Sequence, residues 1–392
     1  MGLRARSCMQ LYKAKVTPVL EYGTELWTAD DDQMDKLRKV QHVYGHTILG
    51  ANNYTSNVFV ESELGMLNIS SRKDELTLRW WWRLQQHIRM SVHRAISSVA
   101  RHKWQQVQLL HGDIAALADD DPNGGSGCNK GQHSDLNKMR ELLLRYGFVQ
   151  EWKYGINTVA VEQEEWTASV QKAVRTQEVQ NRQRRIDSQS SLVESGYAEC
   201  VQAKSDDYKV ASYLDDVYNR EAMYKRMELR AGSLQLLATV GRHAKPQWAP
   251  HKCYCQLCDK QETEDTKHFL VRCPFFNEHR KRLLEELAGR LEIDRDNVAV
   301  QSYGRVVMDR IRQLSAEELR LIMLDGINSL GVQYPSSGSD VSSGRTSKQD
   351  EKERALAVQS VHSKVERTVN NYVWICWKAR ERRLRGADED IK

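Results

Sequence analysis

Residues 72–103 read RKDELTLRWWWRLQQHIRMSVHRAISSVARHK. Along this stretch the apolar residues recur every four positions, at Leu76, Trp80, Leu84, Ile88, Val92 and Ile96. That spacing is typical of one face of a helix. The stretch therefore predicts a long helix in which Trp80 anchors a protein core. Strand patterns are short and confined to the neighbourhood of residues 251–276, so the sequence predicts a mainly α fold.

The N-terminal 50 residues predict two more helices. The first runs from about Leu3 to Val16, and Pro18 is expected to limit its extension because the residue before a proline avoids helical angles. The second follows the acidic run at 29–32, which suits a helix N-terminus, and ends before Gly50.

The C-terminal third predicts three further helices. One spans about 277–291, and another begins at a Ser315–Glu318 capping box and runs to Asp325. The last spans about 351–385 and carries a single apolar stripe, made of Val358, Val361, Val365, Val369 and Tyr372.

A compact Cys/His pattern, CYCQLCDKQETEDTKHFLVRC, occupies residues 253–273. Cys255 and Cys258 are separated by two residues, and His268 and Cys273 follow downstream. Two thiolates from one tight turn, closed by a later imidazole and a third thiolate, suit tetrahedral Zn²⁺. The pattern predicts one structural zinc ion with no open coordination position.

Cys253 leaves one alternative open, because spacing alone allows it to replace Cys255 as a ligand. The surrounding segment from 242 to 282 holds nine Lys/Arg against five Asp/Glu. This local positive excess suits a zinc knuckle that rests on phosphates. We predict nucleic-acid contacts from Arg242, Lys267, Arg272 and Arg280.

The helix predicted over 72–103 is also strongly basic, with eight Lys/Arg against Asp74 and Glu75. We predict that the cations of this helix contact phosphates. We also predict that the indole of Trp81, beside the core-facing stripe, stacks on bases. The residues assigned to these contacts are Arg72, Lys73, Arg79, Trp81, Arg83 and Arg94. The alternative is that these cations only solvate an exposed helix face.

The whole chain is mildly basic, with a formal net charge of +5. It contains no apolar run long enough to span a membrane, and its first residues are too basic for a secretory signal. Clustered rather than evenly spread cysteines indicate a metal site in a reducing compartment. We therefore expect an intracellular protein without a membrane partner, in the nucleus or in a cytoplasmic ribonucleoprotein.

Tyr213-Leu214-Asp215-Asp216 matches the Tyr-x-Asp-Asp sequence of reverse transcriptase palms. Polymerase chemistry needs such aspartates on a hairpin, with a third carboxylate nearby to hold two Mg²⁺ ions. The flanking residues are polar and favour helix rather than strand. We therefore predict that Asp215 and Asp216 are not catalytic and that the chain is not itself an enzyme.

Several motifs together resemble non-LTR (LINE-type) retrotransposon reverse transcriptases. LYKAKVTPVLEYGTELW, LRKVQHVYGHTILG and ESELGMLNISSR, in this order, resemble the thumb that follows the palm. YLDDVYNREAMYKRMELRAGSLQLLATVGR and CQLCDKQETEDTKHFLVRCPFFNEHRKRL resemble the C-terminal part of the same polyproteins. The resemblance covers about residues 8–90 and 205–290 well and the rest loosely.

The resemblance implies a thumb that tracks a template–primer duplex and a CCHC knuckle that helps to hold element RNA, target DNA or their hybrid. Composition and helix patterns, together with the resemblance, predict seven segments: a thumb-like helical domain, a flexible loop, a helical connector, a zinc-knuckle region, further helices, a disordered Ser/Gly linker and a C-terminal helix. In the same order these are residues 1–118, 119–133, 134–241, 242–292, 293–333, 334–350 and 351–392.

The family's palm and endonuclease precede or lie outside the matching segments, so we expect a non-catalytic, nucleic-acid-binding C-terminal fragment of such a polyprotein. Two alternatives stay open. The chain is a subunit of an RNA-directed DNA polymerase that a palm-containing chain completes, or it is a zinc-braced protein-interaction module whose valine-striped last helix mediates assembly.

Overall fold

The computed structural model describes residues 4–24, 31–88, 135–154, 161–202, 208–216, 219–292, 298–326, 332 and 348–389. In chain order its α-helices are α1 Ala5–Leu11, α2 Thr17–Glu21, α3 Asp31–Leu49, α4 Asn57–Leu64, α5 Ile69–Ile88, α6 Asp135–Arg145, α7 Val149–Tyr154, α8 Gln163–Asp187, α9 Ser190–Ser195, α10 Tyr197–Gln202, α11 Arg220–Arg230, α12 Leu237–His243, α13 Asn277–Glu292, α14 Val298–Arg312, α15 Ala316–Asp325 and α16 Lys348–Glu389. Within these ranges the strand-like pairing is a single bridge between Tyr254 and Thr263. The predicted mainly α fold is confirmed.

The chain forms two compact units. The larger unit contains Met1–Ala14, Val40–Met66 and Gln180–Lys392, and the smaller unit contains Lys15–Lys39 and Leu67–Val179. The predicted loop at 119–133 and most of the predicted linker, residues 334–347, lie outside the described residues.

Several local predictions are confirmed. α3 ends before Gly50, which adopts a left-handed φ of 63°. Ser315 caps α15 through a reciprocal capping box with Glu318. These features depend on residues that are close in sequence, which is why the pattern alone reveals them.

The prediction that Pro18 ends the first helix is wrong. α1 continues into a π-helical turn at Tyr12–Val16, and α2 then begins at Thr17 and runs to Glu21. Pro18 lies in the opening turn of α2, where a missing backbone N–H removes no helical hydrogen bond.

The core of the smaller unit is built by α5, α6, α7 and α8. Its buried side chains are Leu78, Trp82, Met139, Leu142, Leu143, Trp152, Trp166, Val170 and Val174. Two indoles are fixed by hydrogen bonds to carbonyls: Trp82 donates to Val161 at 3.2 Å, and Trp166 donates to Leu78 at 2.9 Å.

The predicted register of α5 is wrong by part of a turn. Leu76 and Trp80 are only half-buried, whereas Glu75, Leu78 and Trp82 face the core. Glu75 is acceptable there because its carboxylate accepts a hydrogen bond from Arg72 at 2.7 Å. An apolar-periodicity argument counts Glu75 as a surface residue and so places the stripe on the wrong side. The remainder of the predicted helix, residues 89–103, lies outside the described residues.

We expect Trp82→Ala to lower the free energy of unfolding by about 3–5 kcal/mol, because a buried indole and its bond to Val161 are lost. The matched variant Trp80→Ala removes a half-buried indole from the same helix and should cost roughly 1 kcal/mol. Urea titrations of both variants provide the measurement. A larger loss at Trp80 than at Trp82 would contradict the register.

The core of the larger unit surrounds the middle of α16. The valine stripe predicted for this helix is confirmed, since Val361, Val365 and Val369 are fully buried. They pack with residues of α13, α14 and α15 and with Phe269, Leu270 and Phe276. These three residues belong to residues 251–276, which contain the predicted zinc ligands and are called the knuckle segment below. The knuckle segment is thus part of the main core rather than an appendage.

Buried ion pairs also cross the larger unit. Arg226 and Arg230 on α11 are fully buried. Arg226 pairs with Glu366 of α16 at 2.5 Å, and Arg230 pairs with Glu63 of α4 at 2.7 Å. Charged groups at such depth are tolerated only when they are paired.

Candidate metal centre

The first two cysteines of the site lie on a short turn held by backbone pairing. The Cys255 N–H donates to the Glu262 carbonyl at 2.8 Å, and the Glu264 N–H donates to the Cys253 carbonyl at the same distance. These bonds flank the Tyr254–Thr263 bridge and close the chain into a hairpin-like loop. Cys255 ends the paired stem and Cys258 lies in the bend that follows, so one loop presents two thiols.

The other two residues come from the turn that follows. His268 begins a π-helical turn, His268–Arg272, and Cys273 comes directly after it. The Cys273 N–H donates to the His268 carbonyl at 2.8 Å, which folds the two residues back onto each other. An Asp265 side-chain oxygen accepts from the His268 N–H at 2.6 Å and fixes the start of this turn.

The four side chains Cys255, Cys258, His268 and Cys273 come together as predicted. Their ligand atoms all lie within 4.8 Å of one another. Cys255 Sγ is 3.9 Å from Cys273 Sγ, and Cys258 Sγ is 3.4 Å from His268 Nε2. Around tetrahedral Zn²⁺ two sulfurs lie about 3.8 Å apart and a sulfur and a nitrogen about 3.6 Å apart. The cluster can therefore hold a metal ion, and these two distances are close to those in a tetrahedral zinc site.

The imidazole of His268 is oriented by a carboxylate. Its Nδ1 lies 3.0 Å from Glu262 Oε2, while Nε2 points into the cluster. A carboxylate on the outer nitrogen fixes the tautomer and makes the inner nitrogen a better metal ligand. The spacing of the Cys and His residues does not predict this role for Glu262. The one sequence feature that could have indicated it is an acidic residue six positions before the ligand histidine.

Cys253 is excluded from the cluster by its direction. Its side chain is buried against Gly241, where an added Cβ atom would lie 2.5 Å from Cys253 Sγ. Gly241 is therefore needed because no larger residue leaves room for this sulfur. The alternative in which Cys253 replaces Cys255 does not fit the structure.

The thiols of the cluster influence one another strongly. The hydrogen bond with Cys273, together with burial, raises the pKa of Cys255 to about 12. The same hydrogen bond lowers the pKa of Cys273. Because metal ions bind thiolates, metal binding at this cluster would release the protons that its thiols hold.

The cluster is tied to α13 and α16 by polar contacts. Arg280 donates to the Leu270 carbonyl at 3.2 Å and to the Cys273 carbonyl at 2.5 Å. Tyr372 donates to the same Leu270 carbonyl at 3.0 Å. Arg380 forms two bonds of 2.7 Å to Glu264. Arg280, which we predict to contact nucleic acid, is therefore bonded to the backbone of the knuckle segment.

The other predicted contacts of the larger unit differ in accessibility. Arg242 pairs with Glu194, and Lys267 pairs with Glu317 at 2.5 Å. Arg272 is exposed. Whether these residues contact nucleic acid stays a prediction, but Arg272 offers a phosphate the least hindered charge.

In the smaller unit, most of the residues predicted to contact nucleic acid already have partners within the protein. Arg72 bonds to Glu21 at 2.8 Å, Arg79 lies 3.5 Å from Glu75, and Lys73 is half-buried. Trp81 packs against the core and Arg83 is exposed. Arg94 lies outside the described residues.

Asp215 and Asp216 have ordinary structural partners. They lie at the end of a 3-10 turn, Ser212–Asp215, rather than in the α-helix that the flanks favour. Asp215 pairs with Arg6 at 2.7 Å, and Asp216 accepts a hydrogen bond from Asn370 at 3.3 Å. The turn therefore presents neither aspartate on a β-hairpin.

The end of α16 carries a basic segment that the sequence analysis did not assign. Residues 378–385 read KARERRLR, and Arg382, Arg383 and Arg385 are exposed. The run of arginines itself indicates a basic surface. The apolar stripe before it indicates only a packing role for this helix.

Compared with known protein families, curated proteins and solved structures, the chain matches none of them. Each helix among the described residues is too short or too polar to cross a membrane. The site geometry therefore carries the functional argument.

Proposed function

We propose that the Cys255, Cys258, His268 and Cys273 cluster holds one structural Zn²⁺ and that the protein binds nucleic acid. The observation that carries the first part is the mutual approach of four ligand atoms within 4.8 Å. In this proposal the chain corresponds to the non-catalytic C-terminal part of a non-LTR retrotransposon reverse transcriptase, as its motifs suggest.

The donor set favours zinc. Three thiolates with one imidazole are soft and borderline donors, which suit Zn²⁺ and do not suit Mg²⁺ or Ca²⁺. All four coordination positions are taken by protein atoms, so the metal would brace the fold rather than activate water.

Exposed cations around the knuckle support nucleic acid as the partner. Lys252, Lys260 and Arg272 are exposed. Tyr254, two residues after Lys252, is 37% exposed. Cations interspersed with an aromatic ring offer phosphate contacts and a stacking surface.

The two alternatives have less support. A polymerase subunit would take its catalytic carboxylates from the palm-containing chain, so the pairing of Asp215 with Arg6 gives this alternative no support. An interaction module built on the valine stripe of α16 would need that stripe exposed, but it lies in the core of the larger unit.

A salt titration of binding tests the proposed function. The zinc-loaded full chain should bind a labelled single strand of roughly 16 nucleotides. The logarithm of the binding constant should fall linearly with the logarithm of salt concentration, by about 0.7 per phosphate contact. We expect a slope of at least about two units, which corresponds to three contacts. Fluorescence anisotropy provides the measurement, and absence of binding at low salt would refute the proposal.

A further inference from the structure

A groove runs along the last turns of α16. It has a volume of about 400 Å³, and the described residues that line it are Trp374, Ile375, Lys378, Glu381, Arg382 and Arg385. These positions recur at three or four residues and so share one helix face. The groove lies in the larger unit, and Arg380, from the same segment of α16, is bonded to Glu264 of the knuckle segment.

One end of the groove is apolar. Ile375 is 41% exposed and lines this end of the groove. The Trp374 indole beside it is held by a hydrogen bond from its Nε1 to Glu221 at 3.2 Å. A fixed indole next to an exposed aliphatic side chain makes a flat surface suited to a planar apolar group.

The rest of the groove is cationic. Arg382 and Arg385 are exposed. Arg382 donates one hydrogen bond, from Nε to the Lys378 carbonyl at 3.3 Å, and among the described residues neither arginine has a carboxylate within salt-bridge distance. The groove's acid, Glu381, is already engaged by Lys378 at 3.2 Å and by Trp377 Nε1 at 2.9 Å. The two arginines are therefore available to an anionic ligand.

Charge from α13 reaches the same surface. Burial lowers the pKa of His279, and the neighbouring charges of Arg282, Arg280 and Arg382 lower it further. Since Arg382 is on α16 and Arg282 on α13, cations from two helices converge around this histidine. The positive potential of the groove is thus not confined to one helix.

We propose that this groove binds a single strand of nucleic acid, with phosphates on Arg382 and Arg385 and a base against Trp374 and Ile375. The inference rests on the proposed function and names the surface that performs it. Charge complementarity favours a polyanion, and the apolar end favours one with exposed planar faces. A duplex keeps its base faces stacked, and an acidic peptide has none.

Substitution within the groove tests the inference in the full, zinc-loaded chain. The probe is a labelled single strand of roughly 16 nucleotides, as RNA and as DNA. Arg382→Gln with Arg385→Gln should reduce the salt slope by about 1.4 units, or about 0.7 for each lost phosphate contact. Trp374→Leu should weaken binding about 5-fold or more without changing the slope, since it removes a stacking partner and no charge.

A matched double variant controls for net charge. Arg305→Gln with Lys352→Gln removes two exposed cations of the larger unit outside the groove. Lys352 lies on α16 itself, about 33 Å from Trp374 at about 1.5 Å of helix rise per residue. This control should keep the salt slope of the unmodified chain. Circular dichroism confirms that each variant is folded.

The outcomes separate this inference from the proposed function. Binding that weakens equally in the groove and control variants would overturn the assignment of this groove as the binding surface. It would leave the proposal of nucleic-acid binding in place. No binding by the unmodified chain would overturn both. Displacement of the single strand by poly-glutamate or by a duplex at equal charge would show that the groove selects charge alone, and would also overturn the inference.

Discussion

Loss of the metal is expected to lower the free energy of unfolding of the larger unit by about 4 kcal/mol or more. This is the stabilisation that a ligand gives when its free concentration is about a thousand times its Kd. The knuckle segment has little regular structure of its own, with one bridge and short π and 3-10 turns. Yet its residues Phe269, Leu270 and Phe276 are fully buried in the main core. A metal that fixes this segment therefore fixes part of that core.

The test compares two variants by metal analysis and thermal unfolding. Cys258→Ser with His268→Ala removes two ligands from the cluster and should abolish the single bound zinc. Its Tm should fall on the order of 10 °C. Cys253→Ser, in the same loop, should retain about one zinc per chain because its sulfur packs on Gly241 instead.

Two results would count against this assignment. One is full zinc content in the double variant, and the other is loss of zinc from Cys253→Ser alone. Because Cys253 is buried, its serine variant is expected to lose some stability even when zinc is retained. Metal content rather than Tm therefore distinguishes the two cysteines.

Features governed by near neighbours in sequence were predictable. The metal cluster depends on residues 255–273, and the Ser315–Glu318 capping box spans one helical turn. The valine stripe of α16 repeats along a single helix. In each case the interacting groups are brought together by local backbone geometry, so residue spacing carries the information.

Features that depend on distant partners were not predictable. Glu75 reads as a surface residue, but Arg72 and the rest of the smaller unit allow it to face the core. Nothing near Arg280 in the sequence indicates that it bonds to the Leu270 and Cys273 carbonyls, and its contact with nucleic acid stays a prediction. Sequence composition records a charge and does not record which group neutralises it.

Replacement of Arg230 by methionine is expected to destabilise the larger unit by about 3–5 kcal/mol. Arg230 is 1% exposed and bonds to Glu63 through two contacts, at 2.7 and 3.2 Å. It also donates to the Leu324 carbonyl. Without the guanidinium, the buried Glu63 carboxylate would lose both of these charge-assisted bonds and keep the neutral hydrogen bond from the Tyr197 hydroxyl, at 2.8 Å.

The position of Arg230 is set by the residues that follow it. Ala231 is buried, and Gly232 adopts a left-handed φ of 65°. A Cβ atom on Gly232 would lie 2.2 Å from the Ser191 carbonyl oxygen. The Arg-Ala-Gly sequence thus places a buried cation at the end of α11 and then turns the chain sharply away from it.

A double-mutant cycle separates the ion pair from the packing of its side chains. Glu63→Gln keeps an acceptor for Tyr197 and removes the buried negative charge. Combined with Arg230→Met, it should recover roughly 2 kcal/mol of the expected loss, because only one of the two buried carboxylates that face Arg230, that of Asp325, then keeps its charge. Arg305→Met, at an exposed arginine of α14, should change stability by less than about 0.5 kcal/mol. Urea titrations of the four proteins and the control give the coupling energy. Strictly additive losses would mean that Arg230 stabilises the unit through packing and its carbonyl contact, and not through its charge.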